Sequence, residues 1–139
     1  MGDRRLAREI AVQTLYEISH TEETFDRAWR TNVERRSGGD EVARYAERLL
    51  ATVTAHRDAI HTQLRAALAN WSLERVALVD RCVLEVGCAE ILYHDDVPLK
   101  VALDEAVEIA RKFSTTESGA FVNGVLDRIA QTPRSDATP

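Results

Sequence analysis

Three arginines stand near the start of the chain: Arg4, Arg5 and Arg8 in "DRRLARE". On a helix, Arg4 and Arg8 are one turn apart with Arg5 beside them, while Leu6, Ala7, Ile10, Ala11, Leu15 and Ile18 form an apolar stripe elsewhere. The spacing predicts three guanidinium groups facing solvent together, able to hold phosphates or to stack on unpaired RNA bases. By themselves, three arginines at a solvated helix end are more often plain surface.

Other reactive residue types form no recognisable constellation. His56 and His61 are five residues apart rather than the four that put two ligands on one helix face, and His94, Asp95 and Asp96 are adjacent residues suited to ending a helix. No metal site is expected. Cys82 and Cys88, six apart, lack Cys-x-x-Cys geometry and read as small core hydrophobes. Gly38 and Gly39 have no Walker lysine after them, and Ser118-Gly119 has no glycine two residues before the serine. Neither catalytic residues nor a cofactor are expected, and the chain does not read as an enzyme.

The elements that must position these residues are helical. A chain of 139 residues with 45% hydrophobic content can bury a core without disulfides or metal. Helical periodicity recurs along it and no segment sustains period-two alternation, so an all-α fold is expected. The first helix covers about residues 3–19; a second, capped by Thr21, runs to about Arg36; "RSGGD" at 36–40 breaks the chain with Asp40 as the next cap. Helices follow over about 41–55 and 57–69. Ser72 then caps a central helix reaching Tyr93, with Trp71 stapled onto Val76. Pro98 sits at the first turn of the sixth helix, and "STTE" at 114–117 reads as a capping box for the seventh, with Ser114 at the cap. In that last helix, "FVNGVLDRIA" interrupts an apolar stripe with Asn123 and Gly124. A mid-helix glycine costs about 1 kcal/mol against alanine. The expected return is a close approach of Gly124 to a neighbouring helix, with Asn123 hydrogen-bonded to backbone there. Two packed helical subdomains, about 1–38 and 40–130, and a disordered polar tail at 131–139 complete the layout.

Net charge is −5, and all of the excess lies in residues 71–139, which carry seven basic and twelve acidic side chains. A uniformly basic nucleic-acid surface is excluded; an acidic face for a basic protein partner is not. No apolar run reaches the length of a membrane span, and the N-terminus has no signal-peptide core, which points to a cytoplasmic protein.

"RRLAREIAVQTLYE", "DVPLKVALDEAVEIA" and "FVNGVLD", in this order and at these separations, resemble the NusB family of bacterial transcription antitermination factors over about residues 4–130. The resemblance implies a seven-helix NusB-like fold without catalytic activity. It further implies binding of boxA single-stranded RNA in ribosomal RNA leader transcripts, together with NusE (the small-subunit ribosomal protein S-ten), and linkage through the Nus complex to RNA polymerase. RNA contacts implied in this way are Arg4, Arg5, Arg8, Gln13 and Tyr16 on the first helix and Glu117, Ser118 and Phe121 at the last; Asp80 is the implied NusE-facing residue. A homodimeric structural or inhibitory module, or a detached RNA-binding domain of a ribosomal RNA cytosine methyltransferase, are the rival readings, the latter disfavoured because no cofactor-binding segment follows. The chain departs from the family pattern where Asp3 and Leu6 interrupt the basic run, where Ala120 replaces a common lysine, and where Glu85 and Gly87 replace common arginine and alanine. A smaller set of neutralised phosphates implies a shallower salt dependence, by about 0.7 for each phosphate on a single strand, and a heavier reliance on NusE.

Overall fold

The computed structural model describes residues 2–20, 25–36, 39–69 and 71–131. Every regular element among them is helical: α1 (Gly2–His20), α2 (Phe25–Arg36), α3 (Gly39–Ala55), α4 (Arg57–Leu68), a 3-10 turn at Leu73–Arg75, α5 (Leu78–Tyr93), α6 (Leu99–Phe113) and α7 (Thr116–Ala130). The expected Thr21 cap and the tail beyond Gln131 lie outside the described residues.

Helix α5 is apolar around nearly its whole circumference, and every residue from Cys82 to Leu92 is buried. Such a helix must be surrounded. It packs against α1, α3, α4, α6 and α7, while α1 also packs against α2 and α3. Cys82 and Cys88 are fully buried core residues, and burial pushes both thiols up to about 12. Gly39 opens α3 at φ +80°, a left-handed conformation that glycine enters without steric cost.

Several local expectations change. The seventh helix is capped by Thr115, whose side chain accepts from the Ser118 amide, and not by Ser114 one residue earlier. The central helix begins at Leu78, because Val76 and Ala77 are extended and only the 3-10 turn follows Ser72, which makes no side-chain cap. Trp71 is therefore not closed down as a staple: it remains 52% exposed.

The glycine expectation moves as well. A Cβ on Gly124 would meet nothing within 4 Å, and Asn123 is exposed, so neither serves a tight helix contact inside this chain. The close approach is at Gly87 instead, where a Cβ would lie 2.6 Å from Leu126 Cδ1 and 3.3 Å from Ala106 Cβ, at the junction of α5, α6 and α7. Glu85, the other departure on α5, is buried and ties that helix to α4 through His61 Nε2 at 2.6 Å and Arg57 at 3.6 Å.

Candidate nucleic-acid interface

The arginine cluster divides on folding. Arg8, expected in solvent, is 3% exposed: its Nε donates to both oxygens of Glu90 on α5, at 2.9 and 2.8 Å, and its Nη1 lies 3.7 Å from Glu105 on α6. The reason is geometric. Helix α1 packs against α3 and α5 at once, so the helix side that carries Arg8 is covered as well as the apolar stripe. Buried charges of this kind persist where they are paired and hydrogen-bonded. Glu90 also accepts from the Tyr45 hydroxyl on α3, and Tyr45 lies beside His94, so one polar network joins four helices.

Arg5 remains half-exposed and makes a two-pronged contact with Glu105, at 2.8 and 2.7 Å. That pairing raises the Arg5 pKa and lowers that of Glu105 through the hydrogen bond first and the opposite charge second. Arg4 is also half-exposed; its guanidinium lies 4.3 Å from the Tyr45 ring centroid and donates to Asp96 at 3.1 Å. Asp96 is held well below the ordinary carboxylate range, chiefly by hydrogen bonding from Arg48. The expected helix-ending role of His94, Asp95 and Asp96 is real, since His94 follows the last residue of α5, but His94 is itself buried and bonded to Thr52 at 2.9 Å. Burial, with Arg48 next, lowers its pKa to about 4.

At the other end of the expected site, Ser118 and Asp80 meet. Ser118 Oγ donates to Asp80 Oδ2 at 3.0 Å, joining the start of α7 to the start of α5. Asp80 Oδ1 is buried and has no hydrogen-bond partner among the described residues. Such a group costs free energy until a donor reaches it. Asp80, Phe121, Trp71, Arg75, Val76 and Ala77 line a groove of about 510 Å³, largely apolar. Arg75 has no ion-pair partner among the described residues. The groove thus combines an aromatic platform and a cation, with the unsatisfied Asp80 oxygen buried beneath it. Trp71 and Arg75 were not among the expected site residues; a tryptophan just before a polar helix start was a legible signal, but it reads equally as a staple.

Gln13 and Tyr16 line a second, smaller apolar groove of about 300 Å³ with Val12, Val79 and Phe113. Arg5 faces a third across α6, with Arg111, Gly119, Ala120 and Asn123 among its walls. Glu117 is exposed in the first turn of α7. The structure therefore brings Asp80, Ser118 and Phe121 to one place, sets Arg5 beside the first turns of α7, and turns Arg4 toward α3. Arg8 is withdrawn from the surface. Among the described residues no cluster of three or more histidine, cysteine or acidic side chains could hold a metal ion, and no helix is long and apolar enough to cross a membrane.

Comparison with known proteins gives the site a context. Residues 5–131 match the NusB family model. The chain is 40% identical over 134 residues to the transcription antitermination protein NusB of Myxococcus xanthus, covering 94% of this chain and 96% of that one. It is 44% identical over 126 residues to the NusB of Geobacillus kaustophilus, covering 91% and 94%. Among solved structures, a NusB of T. maritima superimposes with a TM-score of 0.86 at 30% identity, covering 96% and 94%. A chain from a complex of antitermination factors NusB and NusE with double-stranded RNA superimposes with a TM-score of 0.85 at 26% identity, covering 94% and 98%. With the family model matching residues 5–131 and a 40% identical relative covered over 96% of its length, the chain belongs to the NusB family.

Proposed function

We propose that this chain is a transcription antitermination factor that binds boxA-type single-stranded RNA of ribosomal RNA leader transcripts together with NusE, and links that RNA through the Nus complex to the transcribing RNA polymerase. The observation that carries the reading is the groove of Trp71, Phe121, Arg75 and Asp80. An aromatic face takes an unpaired base and a guanidinium without an ion-pair partner takes a phosphate. The similar NusB chain in a complex with NusE and RNA supports the pairing of these two partners. Half-exposed Arg4 and Arg5 supply further phosphate contacts, Gln13 and Tyr16 contacts in their own smaller groove, and Glu117 and Ser118 contacts at the start of α7; Arg8 supports the site from within the core. The acidic excess of residues 71–139 gives NusE an oppositely charged surface to approach, with Asp80 at the junction of the protein and RNA contacts.

The test is fluorescence anisotropy of a labelled boxA-like RNA, with and without purified NusE, for the unaltered chain and for Trp71→Ala and Phe121→Ala. Binding is expected to tighten with NusE, and each aromatic truncation to weaken it about tenfold, as loss of one stacked base does, with the helical circular dichroism unchanged. Absence of any binding by the unaltered chain to RNA and to NusE would overturn the reading.

A further inference from the structure

With Arg8 buried, the α1 cations alone are a thin phosphate-binding set, and α3 supplies what is missing. Arg44 and Arg48 lie one turn apart on α3 and, with Arg4, line a shallow pocket of about 170 Å³ beside Tyr45. The Arg48 guanidinium carbon is 5.6 Å from the Tyr45 centroid and that of Arg4 is 4.3 Å, so both groups lie over one ring. Between them sits a single carboxylate. Asp96 Oδ1 accepts from Arg48 Nη2 at 2.6 Å, and Oδ2 accepts from both Arg48 Nη1 and Arg4 Nη2 at 3.1 Å. Two guanidinium groups gripping one anion in a forked geometry is also the arrangement that grips a phosphodiester.

Resting on the RNA-binding reading above, we propose that Arg48, with Arg4 and flanked by Arg44, is an RNA-backbone phosphate site, and that Asp96 is an internal carboxylate which the phosphate displaces. Arg4, Arg48 and Asp96 side chains are 43%, 43% and 46% exposed, so the incoming anion can reach the pair and the outgoing carboxylate can reach water. Exchange requires an anion that replaces the same forked contacts, since Asp96 is held by both Arg48 nitrogens and by Arg4. Stacking on Tyr45 keeps Arg4 in place when Asp96 leaves, so the site stays organised for its new anion. Asp96 also sets specificity in sign: a weakly held anion does not replace it, whereas a phosphate delivered by an RNA already bound elsewhere on the surface has a high local concentration. The pocket also contains Asp3 and Glu41, Glu41 being paired with Arg44 at 2.7 Å, which keeps the empty site close to neutral.

The experiment is the salt series of RNA binding in the presence of NusE for the unaltered chain, Arg48→Ala, Asp96→Asn, the double variant, and Lys100→Ala as an exposed cation that does not line the pocket. Arg48→Ala is expected to lower affinity about fivefold near 0.1 M salt, the weight of a single charge-assisted hydrogen bond partly screened by solvent, and to reduce the magnitude of the log–log salt slope by about 0.7. Asp96→Asn is expected to raise affinity about threefold, an effect that disappears when Arg48 is also removed, as displacement of an internal competitor on the scale of one exposed ion pair requires. Lys100→Ala leaves both quantities unchanged. If the unaltered chain binds RNA but the Arg48→Ala and Asp96→Asn isotherms superimpose on it at every salt concentration, the α3 site is wrong while the broader reading stands. If the unaltered chain binds no RNA, the broader reading itself has failed. Inorganic phosphate at millimolar concentration, added as competitor, separates a free-anion site from a backbone site: selective loss of the Arg48 contribution at low phosphate would overturn the displacement model. Thermal melts of each variant identify any loss of fold, and Arg48→Gln, which keeps hydrogen bonding without charge, must show the same reduction in slope.

Discussion

At the scale of single residues, the arginines of α1 teach the difference between a charge pattern and a charged surface. Arg4 and Arg8 sit one turn apart, yet one is stacked at the rim and the other is closed between α5 and α6. Removing Arg8 leaves Glu90 buried, with Tyr45 its remaining hydrogen-bond donor. Arg8→Ala is therefore expected to cost about 3–5 kcal/mol, the cost of an uncompensated buried charge, and to lower the melting temperature by roughly 10–20 °C. Arg4→Ala is expected to cost about 1 kcal/mol or less, since its ion pair is exposed. Thermal denaturation of the two variants side by side checks this; equal losses would show that Arg8 is not the internal tie. An RNA-binding defect in Arg8→Ala alone would accordingly report on folding rather than on contact.

At the scale of elements, α5 and α7 show how one residue type can mean opposite things. Gly87 sits where Leu126 and Ala106 close in, whereas Gly124 faces open space. Gly124→Ala is expected to stabilise the fold by about 0.5–1 kcal/mol, through helix propensity and a less flexible unfolded chain. Gly87→Ala is expected to destabilise it by about 1 kcal/mol, because Leu126 must move within a packed core and that cost exceeds the propensity gain. Chemical denaturation measures both; stabilisation by Gly87→Ala would mean that Leu126 has room to turn aside. Nothing in the packing of the chain on itself accounts for Gly124. Helix ends were legible where a side chain or proline signals them and illegible elsewhere. Helix α4 ends at Ala69 with a positive φ of 57°, a backbone turn reached without the glycine that usually announces one. At α7 the cap slid from Ser114 to Thr115, because three adjacent hydroxyl residues all qualify by sequence and only backbone direction separates them.

For the whole molecule, the buried network that joins α1, α3, α5 and α6 makes stability depend on pH. His94 has its pKa lowered from 6.5 to about 4 by burial first and Arg48 second. The unfolded chain therefore binds a proton between these values that the folded chain refuses, and stability falls as pH drops from about 6.5 toward 4. The loss is up to about 3 kcal/mol for a shift of this size. Below that window the depressed carboxyls Glu105 and Asp96 continue the decline, because their folded forms resist protonation too. Melting temperatures from pH 8 to 4 are expected to fall chiefly below 6.5, and His94→Gln to flatten the upper part of that fall. An unchanged profile in His94→Gln would place the sensitivity elsewhere.

What the sequence determined by itself was whatever repeats with helical period or is spelled in a motif: the seven helices seen among the described residues, an apolar α5, two buried thiols, and membership of the NusB family. Local periodicity and short-range capping are properties of neighbouring residues, so they can be read without knowing what lies across the core. Tertiary structure alone decided which cations reach solvent, which glycine is compressed, and that Asp80 and Ser118, 38 residues apart, meet beside an exposed Trp71. Those outcomes depend on helix placement: the side of α1 bearing Arg8 is polar by pattern and becomes interior only because α5 and α6 bring Glu90 and Glu105 to meet it.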